Sequence, residues 1–261
     1  MVSILSYVQT LGRVFLDFVD GIGKLTIFFY NILIRLFTPQ LFIKKILKQF
    51  IIIGFYSLPV VGLTAIFTGA VLALQTYTGF SRMHAESSIA SVIVISITRE
   101  LGPVLAGLML AGRITASIAA EIGTMKITEQ IDALYTLNTD PIKYLIIPKV
   151  IAGILMLPVL VLISDIIGIF GGYLVAVYKI GFEYHSYLDS TFKALEYQDV
   201  VSGLIKATTF GFIVTFIGCF YGYNTSGGAN GVGVAATQSV VTASILILLF
   251  NYIITGLLFI Q

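Results

Sequence analysis

Long stretches without a charged side chain limit most strongly what this chain can fold into. No Asp, Glu, Lys or Arg lies between Lys48 and Arg82, and none follows Lys206. A helix needs about 20 mainly apolar residues to cross the roughly 30 Å hydrocarbon core of a bilayer, and both stretches exceed that length. The apolar runs are continuous and do not alternate with polar residues, so they predict membrane-spanning helices and not a barrel of strands.

The composition supports a membrane protein and excludes several other classes. Of the 261 residues, 57% are hydrophobic and 11% are charged, against about 25% charged in an ordinary soluble domain. So few charges cannot cover the surface of a soluble fold of this size. A soluble enzyme, a nucleic-acid-binding protein and a disordered chain are therefore excluded. The single cysteine allows neither a disulfide within the chain nor a cysteine-based zinc site.

The apolar runs divide into five predicted membrane spans. A Gly/Asn/Ser-rich turn signal at residues 223–238 separates the last two, and Pro59 and Gly62 are candidates for a kink in the first. The predicted spans are residues 50–78, 87–118, 144–178, 200–222 and 239–260. The sequence thus predicts an all-α membrane protein with a transmembrane domain over residues 50–261.

The positions of Lys and Arg predict the orientation of these spans. Basic residues are concentrated in residues 1–49 and from Arg113 to Lys149, whereas the 179–199 loop carries more acidic than basic residues. The positive-inside rule places the two basic regions on the cytoplasmic side. With five spans, the C-terminus then faces outward.

Residues 1–49 form a separate N-terminal region with helical periodicity. Apolar residues recur every three or four positions from Leu11 to Leu36, and Arg13, Asp17 and Lys24 fall on the other face. No soluble core is available for this amphipathic helix to pack on. We therefore expect it to lie in the membrane interface.

Two adjacent charges, Arg99 and Glu100, interrupt the second apolar run. Each charge near the bilayer centre costs on the order of 3 kcal/mol on insertion scales, so such residues usually face the bundle interior or a cavity and have partners. A Glu100–Lys206 ion pair would neutralise both groups. Arg99 would then need Asp165, Asn251 or the phosphate of a ligand. Two interpretations remain open, a ligand site or a buried ion pair that only fixes helix packing.

The segment after this pair predicts close helix packing and then a short helix. Small residues recur along residues 101–123, which favours close approach of helices in lipid. Residues 128–137 predict a short helix with Thr128 as its N-cap and Asn138 at its end. Its apolar stripe comprises Ile127, Ile131, Leu134 and Leu137. Asp140-Pro141 predicts the start of the next helix.

The short helix lies on the predicted cytoplasmic side, between two spans. It is a candidate platform for a soluble partner, and the alternative is an ordinary interfacial turn. The sequence contains no Gly-x-x-x-x-Gly-Lys-Ser/Thr loop, so the chain is not expected to bind ATP by a P-loop. No Ser/His/Asp constellation predicts catalysis either. We expect a non-catalytic chain with no metal and no cofactor of its own.

Four segments carry a resemblance to a known family. They are Arg-Glu-Leu-Gly-Pro-Val-Leu-Ala-Gly-Leu-Met-Leu-Ala-Gly-Arg (99–113), Ala-Ala-Glu-Ile-Gly-Thr-Met (119–125), Thr-Glu-Gln-Ile-Asp-Ala-Leu (128–134) and Asp-Pro (140–141). Together they resemble the MlaE/YrbE permeases, the membrane subunits of ABC transporters that move phospholipids with MCE-domain proteins. The resemblance extends over essentially the whole chain.

The resemblance implies a multi-pass subunit of the cell inner membrane that pairs with a second copy of itself. It implies two ABC ATPase subunits that bind ATP on the cytoplasmic face, MCE-domain proteins on the outer side, and a role in outer-membrane lipid asymmetry. It also implies a coupling helix within residues 121–140 that docks into the ATPase. The polar contacts of this helix would be Glu121, Glu129, Gln130 and Asp132.

The resemblance also implies a lipid cavity between the two protomers, near Arg99, Glu100 and Lys206. Relatives carry an acidic residue near the end of the last span that can partner the arginine, and Asn251 stands at that place here. The substitution leaves Arg99 freer to meet a phosphate. The implied substrate-binding residues are therefore Arg99, Glu100, Lys206 and Asn251.

Two other functions compete with an ATP-driven permease. Ion-driven secondary transporters often have inverted repeats and broken midplane helices, but five spans cannot divide into equal inverted halves. The other alternative is a membrane scaffold that binds lipid or partners without transport. Co-purification with an ATPase would distinguish the permease from both.

Overall fold

The predicted all-α fold with five spans is confirmed. A computed structural model describes residues 2–36, 42–83 and 88–259, and every regular element in these ranges is a helix. Five of the helices are long and apolar enough to cross a membrane. Outside the described residues lie residues 1 and 37–41 of the predicted N-terminal region, residue 87 of the predicted second span and residue 260 of the predicted fifth span. The side chains of Leu11, Arg13 and Asp17 also lie outside the described part of the chain.

The described part of the chain contains eight helices, numbered here in chain order. The five spans are α2, α3, α5, α7 and α8, and most of them extend beyond the predicted ranges. The bounds are α1 Val2–Leu36, α2 Ile43–Phe80, α3 Ile89–Ile127, α4 Gln130–Thr136, α5 Ile142–Ile180, α6 Tyr184–Ala194, α7 Tyr197–Tyr223 and α8 Gly228–Phe259.

The first span is interrupted one turn before the predicted kink site. A 3-10 turn at Phe55–Ser57 follows Gly54, and the α-helix resumes at Leu58. Pro59 lies in the first turn of the resumed helix, where its missing N–H breaks no hydrogen bond. Gly62 lies within the regular helix that follows. The proline therefore starts a helix and does not bend one.

The connection between α7 and α8 is shorter than the predicted turn at residues 223–238. The last span begins at Gly228, and Gly227 and Gly228 have φ of +86° and +68°, which glycine adopts without a Cβ clash. Gly231 lies in the first turns of α8, where an added Cβ would strike the carbonyl of Ser226. Gly231 therefore leaves room for the carbonyl of Ser226 at the start of α8.

Close backbone contacts at glycines outside the predicted 101–123 segment hold the spans together. A Cβ added to Gly153 of α5 would meet the carbonyl oxygen of Gly211 on α7, and the reverse also holds. Gly69 of α2 lies equally close to the carbonyl of Gly168 on α5. Because apolar side chains gain nothing from leaving lipid, such contacts are a main source of helix association in membranes. The third span, α5, is therefore packed between α2 and α7.

The N-terminal helix α1 packs on the same end of the bundle as α4. Phe28 and Ile32 of α1 are buried, and Arg35 pairs with Asp140 at 2.5 Å between Nε and Oδ2. Outward-facing apolar residues of α1 include Leu16, Val19 and Ile22. We call this end of the bundle the inner end, following the predicted orientation, and the opposite end the outer end. The interfacial position of α1 stays a prediction.

Candidate functional site

Arg99 and Glu100 lie in a π-helical turn, Ile97–Leu101, within α3. Such turns are rare and occur frequently at functional sites. Pro103 follows at once, and it lacks the N–H that would bond to the carbonyl of Arg99 in a regular helix. That carbonyl instead accepts a hydrogen bond from Nζ of Lys206 at 2.8 Å. The local sequence therefore opens the helix backbone where the charges lie.

The predicted ion pair between Glu100 and Lys206 is confirmed. Nζ of Lys206 lies 2.7 Å from Oε1 of Glu100, and the exposed fractions of the two side chains are 0% and 38%. Two residues of α8 complete the carboxylate's partners: Asn251 donates to Oε2 at 2.9 Å and Thr255 donates to Oε1 at 3.0 Å. One carboxylate thus joins three spans, α3, α7 and α8.

The protein partner of Arg99 is Asp199, not Asp165 or Asn251 as predicted. Nε of Arg99 donates to Oδ1 of Asp199, whose side chain is completely buried. The guanidinium also lies 4.6 Å from the ring centroid of Phe259, within the range of a cation–π interaction. The six residues Arg99, Glu100, Asp199, Lys206, Asn251 and Thr255 are called the polar cluster below.

Asp199 was missed because the sequence places it at the edge of an acidic outer loop. In the structure it lies in the first turn of α7, where it forms a capping box with Glu196. Glu196 and Asp199 have the spacing of a capping box, whose usual residues are Ser/Thr-x-x-Glu/Gln. This spacing would have moved Asp199 into the helix and within reach of Arg99.

The polar cluster lies inside the bundle, toward its outer end. Glu100, Lys206 and Asn251 are eight to eleven residues from the outer ends of their helices, or about 12–17 Å at 1.5 Å per residue. The cluster therefore lies at a depth where charges require partners.

The guanidinium of Arg99 keeps unused hydrogen-bonding capacity. Among the described residues, Nε is its only donor with a hydrogen-bond partner, and 32% of the side chain is exposed. A cavity of about 310 Å³ lies beside it, between the first turns of α7 and the last turns of α8. Its lining is Tyr197, Gln198, Val201, Ser202, Ile205, Leu257, Leu258 and Phe259. Phe259 is thus shared by the cavity and by Arg99.

A further cation, Arg113, lies within the predicted second span, 87–118, although it was also counted with the cytoplasmic basic region. It lies in a second π-helical turn, Ala111–Thr115, in the interior of α3. Its Nη1 donates to Oγ of Ser57, which is completely buried in the 3-10 turn of α2. The continuation of the helical apolar pattern through Gly-Arg-Ile-Thr was the signal that places it within the span.

Asp165 of α5 stands apart from the polar cluster. Its side chain is 7% exposed, and Oδ1 has no hydrogen-bond partner among the described residues. A Cβ added to Gly102 would collide with this oxygen, so the glycine provides the room that the carboxyl group occupies. The structure gives Asp165 no contact with Arg99.

The short helix after α3 starts differently from its prediction. It begins at Gln130, and the residue before it, Glu129, has φ +59° and makes no side-chain cap. Thr128 is not the N-cap, since its hydroxyl donates back to the carbonyl of Thr124 at 2.8 Å. The hydroxyl completes the last turn of α3 and so is not available to α4.

The end of α4 and the start of the next helix agree with the prediction. Asn138 has φ +55°, and the N–H of Thr139 bonds to the carbonyl of Leu134, the pattern of a left-handed helix stop. Oδ1 of Asp140 accepts from the N–H of Ile142 at 2.9 Å. The left-handed turn at Asn138 and the cap at Asp140 therefore connect α4 directly to the next span.

Three of the four predicted coupling residues lie together, and one does not. Glu129, Gln130 and Asp132 are exposed around the start of α4, and Asp132 lies 3.2 Å from Nζ of Lys126. Glu121 lies elsewhere on α3, where Lys149 pairs with it at 2.6 Å. It is therefore separated from the other three.

The residues of the predicted apolar stripe of α4 also differ in their burial. Ile131 is completely buried, whereas Leu137 is 73% exposed at the tip. Tyr135 ties the helix to α7 through a hydroxyl–hydroxyl contact of 2.8 Å with Tyr223. The base of α4 is thus anchored, and its tip presents an apolar side chain to the outside.

The fold and the polar cluster define a multi-pass helical membrane protein with charged groups inside its bundle. The MlaE permease family matches residues 46–257. A probable ABC transporter permease protein of Rickettsia bellii is 59% identical over 256 residues, which cover 98% of this chain and 99% of the relative. A similarly named protein of Synechocystis is 40% identical over 216 residues, covering 83% and 82%. The chain belongs to the MlaE family and is an ABC transporter permease.

Proposed function

We propose that this permease moves phospholipids between membranes, with the polar cluster and its cavity receiving the lipid. The observation that carries the proposal is Arg99, whose Nη groups have no hydrogen-bond partner among the described residues. A guanidinium binds a phosphate through a planar pair of donors. The adjoining cavity is lined largely by apolar side chains, which suit the acyl chains.

The proposed arrangement includes a second copy of the chain. Within one copy the cavity measures about 310 Å³, at the low end of small-molecule pockets, and a two-chain lipid needs more room. Little of α8 is buried, and its exposed side chains include Ile245, Leu248 and Tyr252. A symmetric pair of copies that meet along this side would enlarge the cavity and cover Glu100 and Arg99.

The energy for transport is proposed to come from a separate ATPase that binds the ATP. This chain supplies the membrane-embedded path, needs no cofactor of its own and carries out no catalysis. Glu129, Gln130 and Asp132 surround the exposed start of α4, and Leu137 is exposed at its tip. An apolar side chain next to polar groups suits insertion of a short helix into a groove of a partner.

The remaining partners are proposed from the likeness to the MlaE/YrbE permeases. They place the protein in a cell inner membrane with an MCE-domain protein at the outer end, where lipid would be passed on. The polar cluster lies nearer to that end. Asn251 donates to Glu100 and not to Arg99. Arg99 therefore pairs with Asp199 through Nε and has its Nη groups available for the lipid phosphate.

Mass spectrometry of proteins and lipids that co-purify in mild detergent tests this proposal. We expect an ABC ATPase and bound phospholipid with the wild type, and loss of the ATPase in Glu129→Lys/Asp132→Lys. The control Glu183→Lys/Asp189→Lys reverses two charges at the outer end and should keep the ATPase. Retention of the ATPase by the α4 variant would contradict the coupling assignment. Absence of phospholipid from the wild type would contradict the proposal that phospholipid is the substrate.

A further inference from the structure

A second cavity, of about 300 Å³, lies at the inner end and is separate from the polar cluster. It is formed by the first turns of α2 and α5 and by the later turns of α3. We call it the lysine pocket, and its charged and aromatic lining is Lys44, Lys45, Lys48, Glu121, Tyr144 and Lys149. Four lysines face one glutamate, so the lining carries a net positive charge. Such a lining attracts an anion.

The lysines of the pocket differ in how they are held. Lys149 is 3% exposed and pairs with Glu121, and Nζ of Lys45 lies 3.3 Å from the ring centroid of Tyr144. Lys44 and Lys48 are exposed, and neither has an ion-pair partner among the described residues. Two cations of the pocket are thus held by a neighbouring side chain, and two are exposed without an ion-pair partner among the described residues.

We infer from its position near the inner ends of α2 and α5 that the pocket lies at the depth of lipid headgroups. Lys44 and Lys48 follow the start of α2 at Ile43 within five residues, and Lys149 is seven residues after the start of α5. At 1.5 Å per residue, these positions are about 2–10 Å from the inner ends of the helices. The two spans have 38 and 39 residues, so each is longer than the roughly 40–45 Å bilayer including headgroups.

The exposed side of α2 favours a lipid over a soluble anion as the ligand of this pocket. Leu47 and Ile51 each follow a lysine by three positions, and they are 55% and 53% exposed. Residues three apart are neighbours on a helix surface. The helix therefore presents ammonium groups at headgroup depth and, next to them and deeper, an apolar track for an acyl chain. A soluble phosphate would use only the first of these features.

We propose that the lysine pocket binds the phosphodiester of an anionic phospholipid from the inner leaflet. Basic pockets between spans on the cytoplasmic side are suited to such headgroups. Lys44, Lys45 and Lys48 hold the phosphate, and Leu47 and Ile51 contact an acyl chain. This lipid is a resident of the inner leaflet and not the transported molecule. The site therefore does not depend on the transport proposal.

Lipid-dependent stabilisation of the purified full-length chain tests the site. Phosphatidylglycerol or phosphatidylcholine is added in mild detergent, and the apparent affinity is taken from the shift of the thermal midpoint. We expect tighter binding of phosphatidylglycerol. Lys44→Gln/Lys48→Gln should reduce this preference roughly 25-fold, at about fivefold for each lysine near the surface. Both side chains are exposed, so folding should be unaffected. Lys179→Gln/Lys193→Gln, with two exposed lysines at the outer end, should keep the preference.

Three results would overturn the proposal. The first is equal binding of the two lipids by the wild type, and the second is an unchanged preference in Lys44→Gln/Lys48→Gln. The third is equal stabilisation by inorganic phosphate alone, which would identify a site for soluble anions. If the double variant lost its ATPase but kept the lipid preference, the surface would be a protein contact. Failure to find an ATPase at all would contradict the proposed function and leave this lipid preference intact.

Discussion

Lys206 has no exposed side-chain surface, and its ammonium bonds to Glu100 and to the carbonyl of Arg99. Removing one member of a buried ion pair leaves the other without compensation, which costs about 3–5 kcal/mol in buried sites. Glu100 is partly exposed, so we expect Lys206→Met to lose about 2–3 kcal/mol. The double variant Glu100→Gln/Lys206→Met should recover much of this loss. The thermal midpoint in mild detergent measures both.

The control for this prediction is Lys193→Met, which removes an exposed lysine paired with Asp189 at 2.5 Å. An exposed pair contributes at most about 1 kcal/mol, so its midpoint should change little. Equal losses in Lys193→Met and Lys206→Met would show that the buried pair has no special role. A double variant less stable than Lys206→Met would also contradict the account.

At the scale of single residues, sequence predicts some contacts and not others. The Glu100–Lys206 pair was predictable because opposite charges in apolar helices must compensate each other. Asp199 was not recognised as the partner of Arg99 because its helix start was read as a loop. Asn251 was placed near the arginine, but it donates to Glu100. Which of two adjacent charges a side chain reaches depends on the π-helical turn, which no residue pattern predicted.

Among the helices, α4 depends on a left-handed stop at Asn138, where φ is +55°. A β-branched residue is strained in this conformation by roughly 1–2 kcal/mol, whereas glycine is not. We expect Asn138→Val to weaken association with the ATPase and Asn138→Gly to keep it. Co-purification at matched expression measures the difference. Equal association of both variants would show that this stop does not position α4.

The contact of α5 with α7 depends on two facing glycines. A Cβ on Gly211 would lie 2.8 Å from the carbonyl carbon of Gly153 and 3.2 Å from Cβ of Leu157. Alanine favours a helix by about 1 kcal/mol over glycine, yet we expect Gly211→Ala to destabilise by about 1–3 kcal/mol through overpacking. The thermal midpoint should fall.

A matched control for this contact is Gly233→Ala in α8, where nothing lies within 4 Å of the added Cβ. That variant should be neutral or slightly more stable, because only helix propensity changes. A Gly211→Ala midpoint at or above that of Gly233→Ala would contradict close packing as the reason for the glycine.

At the scale of helices, the sequence predicts the number and type of the spans better than the residues at which they begin and end. The five spans follow from apolar length, because lipid requires an internally bonded helix of about 20 residues. The bounds were wrong at Gly228, where a glycine-rich run read as a turn continues as helix. Pro59 was likewise read as a bend and begins a helix segment. Turn residues can also serve packing, so their presence alone does not end a helix.

The whole molecule joins a polar cluster toward one end of the bundle to a short exposed helix at the other. The family and the span count could be predicted from sequence, since both depend on long continuous segments. A freer Arg99 and a cavity near it were expected only from the family resemblance. The contact with Phe259 and the lysine pocket could not be predicted, because each combines residues from separate helices. Asp165, whose Oδ1 is buried with no hydrogen-bond partner in the described part of the chain, is the residue that an ion-driven mechanism would use.

Transfer of a fluorescent phospholipid by proteoliposomes, with and without the ATPase partner and ATP, tests the central claim most directly. We predict that transfer requires both subunits and ATP. At matched amounts of folded protein, Arg99→Gln should reduce its rate about tenfold or more, since charge-assisted bonds to phosphate are worth about 1.5–3 kcal/mol. Asp165→Asn should leave the rate within about twofold. Transfer by this chain alone along an ion gradient, lost in Asp165→Asn and unchanged in Arg99→Gln, would contradict the account.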